Sequence, residues 1–209
     1  MNQAKRIDIL KRFKEADPSP QTELIYSSAY ELLVAVILSA QATDISVNKA
    51  TNNLFQVACT PQEMLDLGEE MLIDYIKSIG LYKNKAKNII RCSQQLLSNF
   101  NGEVPRNRED LESLAGVGRK TANVVLNTLY DEPVVAVDTH VFRVANRTGI
   151  AKGRTVLEVE KKLEKNIPKS YLNNVHHWLV LHGRYVCKAR NPLCCGCIIN
   201  DLCDYSIYK

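Results

Sequence analysis

No stretch of this chain approaches the roughly 18 consecutive apolar residues of a membrane-crossing helix. The opening residues, MNQAKRIDILKRFKEADPSP, also lack the apolar run of a secretory signal. A cytoplasmic protein without a targeting segment is therefore expected. Within that opening, Ile7, Leu10 and Phe13 recur at helical spacing among basic residues. Aromatic residues make up only 7% of the chain, too few for a stacking platform that grips single-stranded nucleic acid. β-Hairpin signals are missing, and the one β-like run, Val134–Val137, is too short to build a sheet. No low-complexity linker divides the sequence, so Pro133 is the best single marker of a domain boundary.

What is present is helical. The chain has 209 residues, 45% of them hydrophobic, enough for one large core or two modest ones. Ser28 begins S-A-Y-E, a capping box that opens the apolar segment ELLVAVILSA. Apolar residues nearly surround that helix, which marks it as central and buried. Thr60-Pro61-Gln62-Glu63 combines a cap, a proline in the first turn and a returning glutamate. Thr155 with Glu158 repeats the box, Pro168 stops the helix that follows, and Ser170 can cap the next. Lys83 to Phe100 reads as a long helix closed by Asn101-Gly102, and Asn107 can cap a short one through Leu114. About ten helices in all place the protein in the all-α class.

The net charge of +4 permits nucleic-acid binding without establishing it. Four cysteines near the end are more telling. Cys187, Cys194, Cys197 and Cys203 are separated by six, two and five residues. Four soft ligands so close in sequence can converge on one soft metal centre, either zinc or an iron–sulfur cluster. Zinc ribbons usually carry two C-x2-C knuckles; this chain has one, which weakens zinc. Disulfides are disfavoured in a reducing compartment. His140, His176, His177 and His182 show no metal spacing with a nearby carboxylate and read as packed or capping residues.

A second segment, LESLAGVGRKTANVVLNTL, joins a helix ending at Leu114 to one beginning near Arg119. Gly116 and Gly118 can take positive φ and carry no side chain to block a ligand. Such a turn can aim successive backbone N–H groups outward at a helix N-terminus and grip a phosphate without reading sequence. It can equally be an ordinary helix–turn–helix connection. Lys120 sits in the first turn of the second helix, where the macrodipole disfavours a cation. A lysine there needs a counter-anion, shared with Arg119, or serves as a nucleophile. Asp138 in V-V-A-V-D-T-H suits an N-cap for HVFRVANRT and also a carboxylate facing a catalytic lysine.

Taken in order, L-A-G-V-G-R-K-T-A, V-D-T-H and C-x6-C-x2-C-x5-C resemble the helix-hairpin-helix DNA glycosylases that carry an iron–sulfur cluster. The resemblance covers essentially the whole chain, including L-L-V-A-V-I-L-S-A-Q-A-T-D and S-I-G-L-Y-K-N-K-A. It departs at Ala115, where the family commonly has proline, which predicts a less rigid turn, and at Cys195, beside a ligand position.

The resemblance implies two helical domains with a DNA-binding groove between them. One is a six-helix domain of residues 22–132; the other joins residues 1–21 to 133–209 and holds a [4Fe–4S] cluster on Cys187, Cys194, Cys197 and Cys203. It implies a bifunctional glycosylase and lyase of base excision repair, acting as a nucleoid-associated monomer. The substrate would be double-stranded DNA containing oxidised pyrimidines or abasic sites, with the damaged base flipped out of the stack. Lys120 becomes the nucleophile and Asp138 its partner. Gly116, Val117, Gly118 and Arg119 contact DNA. The segment SIGLYKNKAKNII echoes the hairpin, with Gly80 matching Gly116 and Ala86 matching Ala122. Leu81 would wedge into the duplex and Gln41 would fill the space left by the flipped nucleotide. Against these stand a hydrophobic staple for Leu81 and a surface helix end for Gln41. Lys188 and Arg190, between the first two cysteines, with Arg184 before them, suggest a metal-pinned basic loop for phosphate contact. The competing class is a non-enzymatic DNA-binding module, such as a redox sensor, which needs the hairpin and cysteines but not Lys120 with Asp138.

Overall fold

The computed structural model describes residues 1–205. Its ordered elements are α1 (Gln3–Ala16), α2 (Ala29–Ser39), α3 (Asp44–Leu54), α4 (Pro61–Ile76), α5 (Tyr82–Phe100), α6 (Arg108–Ser113), α7 (Arg119–Tyr130), α8 (Thr139–Thr148), α9 (Val156–Asn166) and α10 (Lys169–Tyr185). Two short 3-10 turns follow, at Cys194–Gly196 and Asn200–Leu202. No strand occurs among the described residues, Val134–Val137 included. No helix among them is long and apolar enough to cross a membrane.

The chain forms two compact units, Thr22–Tyr130 and Met1–Gln21 with the chain from Asp131 onward. In the first, α2 is the central element. Its residues from Tyr30 to Leu38 are all buried, and it packs against α3, α5 and α7. Ser28 caps it by accepting from the Glu31 N–H. The Glu31 carboxylate returns to the N–H of Ser27, one residue earlier than a capping box requires. The box on α4 is complete, with Thr60 and Glu63 exchanging bonds. Gly68 then breaks α4 with φ 79 and ψ 162, values that glycine adopts without a steric penalty.

The second unit packs α10 against α8 and α1, and α8 against α9. The buried face of α1 is Arg6, Ile9, Leu10 and Phe13, with Ile7 only half-buried. The stripe thus turns toward Ile9 and away from the expected Ile7. The Trp178 indole N–H donates to the Asp17 carbonyl at 2.8 Å, which satisfies its one polar atom inside the core. Ser170 is not a cap. Pro168 occupies the cap position and α10 begins at Lys169 without a side-chain cap bond. Proline's fixed φ suits the entry to a helix, and its missing N–H leaves no donor there.

Candidate active site and cysteine loop

The hairpin between α6 and α7 is held from behind by α5. Gln95 Oε1 accepts from the Ala115 N–H at 2.7 Å, and its Nε2 donates to the Ser113 carbonyl at 3.1 Å. A proline at 115 has no N–H to give; here that N–H bonds to Gln95 and ties the turn to α5. Gly116 has φ 81, and a Cβ on it would lie 2.9 Å from the Asn88 Cβ. Backbone conformation and close packing on α5 both require glycine there. Gly118 differs, because it lacks positive φ and a Cβ there would meet open space. Val117 is buried and its N–H donates to the Leu114 carbonyl at 3.1 Å. The expected run of outward-pointing amides is therefore interrupted, since the Ala115 and Val117 donors are used within the protein. Beyond the turn, Gly118, Arg119 and Lys120 are all exposed. Lys120 stands in the first turn of α7.

Gln41 and Leu81 lie on two turns of the same unit. Both are exposed and both hold left-handed backbone, with φ 55 and φ 60. That conformation costs a non-glycine residue about 1–2 kcal/mol. Leu81 is 58% exposed, so it is no hydrophobic staple. The echo between the two glycine turns is one of sequence and not of geometry: Gly80 lacks the positive φ of Gly116, and Leu81 adopts it instead.

Asp138 caps α8, its Oδ1 accepting from the Val141 N–H at 2.8 Å. The segment before it is fixed by neighbours. His176 Nδ1 lies 2.8 Å from the Ala136 carbonyl oxygen, and the Val135 N–H points to Glu164. The half-buried carboxylate of Asp138 thus rests on a rigid support.

Cys187, Cys194, Cys197 and Cys203 line one cavity after α10, together with His182, Ile199 and Leu193. Cys195 is exposed and does not line it. Burial pushes the Cys197 and Cys203 thiols up, and the neighbouring thiols add to the effect. A bound metal would reverse that, since a coordinating thiol is deprotonated. Four cysteines around one apolar cavity supply four thiolate donors, a set that suits zinc or an iron–sulfur cluster. Around them, Arg143 Nε donates to the Cys187 carbonyl at 2.9 Å, and Arg147 donates to the Lys188 and Ala189 carbonyls at 2.7 and 3.0 Å. His182 Nε2 lies 3.6 Å from Cys197 Sγ, and burial lowers its pKa to about 4. Lys188 and Arg190 are exposed on the loop so formed.

Residues 34–169 match the HhH-GPD superfamily of base excision DNA repair proteins. The chain belongs to that superfamily. Among its relatives, endonuclease III of Haemophilus influenzae is 62% identical over 98% of this chain and 97% of its own length. Endonuclease III of Escherichia coli K12 is 60% identical with the same coverage. A solved structure of a trapped endonuclease III–DNA covalent intermediate superposes with TM-score 0.92 and 44% identity, covering 98% of this chain and 97% of that one. A thermostable thymine-DNA glycosylase, at 23% identity, shares the fold with TM-score 0.85. As an HhH-GPD protein the chain is a base excision repair enzyme, which sets aside the non-enzymatic module.

Sequence reasoning misses the residues that act at a distance in the chain. Gln95, His176, Arg143 and Arg147 sit on regular helices, and no local motif marks them. His182 reads in sequence as a packing residue; the fold places it against the cysteines.

Proposed function

We propose that this HhH-GPD chain removes oxidised pyrimidines from double-stranded DNA and cleaves the strand, with Lys120 as nucleophile and Asp138 as its carboxylate. The reading rests on Lys120, exposed on the first turn of α7 directly after the hairpin. It is supported by the likeness to an endonuclease III trapped as a covalent intermediate with DNA.

The Lys120 amine attacks C1′ of the damaged nucleotide as the bond from C1′ to the base breaks, and the base leaves with a proton. The sugar ring opens, O4′ takes a proton, and a protonated imine joins Nζ to C1′. That cation acidifies the C2′ hydrogen. Loss of the C2′ proton expels the 3′ phosphate by β-elimination, and water then releases Lys120. Asp138 accepts and returns protons, and opposes positive charge developing on the sugar. Its bond to Val141 leaves Oδ2 for that work and fixes its direction. Gly116, Gly118 and Arg119 grip phosphate without reading bases, while Val117 packs inward and shapes the turn. Leu81 and Gln41 enter the duplex and hold open the space of the extruded nucleotide. Cys187, Cys194, Cys197 and Cys203 hold a [4Fe–4S] cluster. Its contribution is structural, pinning the loop that presents Lys188 and Arg190 to phosphate. The enzyme works as a monomer on nucleoid DNA.

Borohydride trapping tests the nucleophile. The parent should form a covalent adduct with an abasic duplex. Lys120→Gln should form none, lose base release and strand cleavage, and keep most of its duplex affinity. An adduct at the parental rate in Lys120→Gln would overturn the assignment.

A further inference from the structure

Lys85 is a buried cation that the proposed chemistry does not use. It is only 5% exposed. It lies one turn into α5, at the end where its own helix dipole disfavours positive charge. Its ammonium donates to the Leu38 carbonyl at 2.9 Å. Leu38 is in the last turn of α2, where carbonyls lack helical partners and the dipole welcomes a cation. The Lys85 backbone N–H donates in turn to the Leu81 carbonyl at 3.1 Å.

One residue therefore bonds to both sides of a small assembly. Three residues beyond Leu38 comes Gln41; the other bond goes to Leu81 itself. The two turns are neighbours, since a Cβ on Gly80 would lie 3.9 Å from the Gln41 carbonyl oxygen. Both hold left-handed backbone at a non-glycine residue, a conformation that persists only where the surroundings over-determine it.

We infer that Lys85 is a positioning residue that locks the Gln41 and Leu81 turns in one register, so that the two side chains enter the duplex as a single rigid unit. The inference rests on the proposed duplex roles of Gln41 and Leu81. Burying an ammonium is costly, and a leucine or methionine would fill the same space. A cation is useful here because it reaches from the start of α5 to the end of α2 and bonds there with a fixed direction. Misplacement of a substrate-positioning group by about 1 Å can cost a hundredfold in rate.

The test uses Lys85→Met, Lys85→Arg, Leu81→Ala, Gln41→Ala and the Lys85→Met double variants with each of the last two. The substrates are a duplex with one paired oxidised pyrimidine and a duplex with an abasic site. Single-turnover base release from the paired lesion should fall about tenfold in Lys85→Met, because hydrogen bonds to charged groups are the stronger ones. Cleavage at the abasic site, where no base need be extruded, should fall far less. Lys85→Arg should recover much of the loss, since it keeps a buried donor. Lys85→Met should add little to Leu81→Ala or to Gln41→Ala, because loss of register already disables both. Thermal melts establish that each variant is folded. Equal loss on the two substrates, or additive losses in the double variants, would overturn the role of Lys85 while leaving Leu81 and Gln41 in theirs. Parental excision by both Leu81→Ala and Gln41→Ala would overturn the duplex reading and this inference with it.

Discussion

Cys195 and Gly118 each separate two explanations that neighbouring residues leave entangled. Cys195 sits between two cavity-lining cysteines yet is exposed and does not line the cavity. Cys195→Ser should keep its iron, its brown colour and full activity. Cys194→Ser should lose iron and with it the order of the loop, because cluster binding and folding of such a loop are coupled. Iron per chain after anaerobic purification decides the matter, and a Cys195 variant that loses iron while the Cys194 variant retains it would reverse the ligand set. Gly118 has neither the backbone strain nor the crowding of Gly116. Gly118→Asp should therefore fold with little loss of stability and act through charge alone. It should weaken binding to every duplex alike, and removing one bound phosphate from the interface should flatten the log–log salt slope by about 0.9. Weakening confined to one sequence would exclude a phosphate grip. Gly116→Asp is no substitute for this experiment, since it would also displace Asn88 and strain the turn.

At the scale of elements, the hairpin is tied to α5, the helix that precedes it in the chain. Gln95 spans the turn with one accepted and one donated bond. Gln95→Leu keeps the volume and removes both. At about 1 kcal/mol per bond, it should cost about 2 kcal/mol of stability in denaturant melts. It should also weaken binding of all duplexes, as the anion site loses its frame. A loss of stability without any loss of affinity would mean that the hairpin keeps its shape unaided.

These cases also explain how far the sequence could be read. Caps at Ser28, Thr60, Asn107 and Asp138 are local signals, and each capping side chain accepts the expected backbone N–H. The buried helix α2 is legible because it has almost no polar face. Gly116 is legible as a special backbone position, but the sequence offers no means to tell it from Gly118. What decides between them is Asn88, on another helix. The left-handed backbone of Leu81 is hidden for the same reason, because leucine gives no hint of positive φ and tertiary contacts impose it. Lys85 reads as one more lysine in a basic helix until Leu38 is seen beside it. Local chemistry is written along the chain, whereas contacts between distant helices appear only once those helices pack.

At the scale of the whole molecule, acid should weaken the unit formed by α1 and α8–α10. His177 lies on α10, buried, with Nε2 lacking a partner. Burial, partly offset by Asp17, lowers its pKa to about 4. The unfolded chain exposes this imidazole, with a pKa of about 6.5. Unfolding therefore takes up a proton between those two values, and acid favours the unfolded state. The contribution of His177 is fully present above about pH 6.5, shrinks as pH falls and is lost below about pH 4. Across that window it amounts to about 3 kcal/mol. His177→Leu removes the titrating group, and with it the unpartnered Nε2, and puts an apolar side chain in its place. Urea melts at pH 7 and pH 4.5 on both proteins isolate its share from that of the cysteine loop, which is common to the two. The variant should lose less stability than the parent on acidification, by about 2–3 kcal/mol. Parallel losses in the two proteins would mean that His177 titrates alike in the folded and unfolded chain, and that the acid sensitivity lies elsewhere.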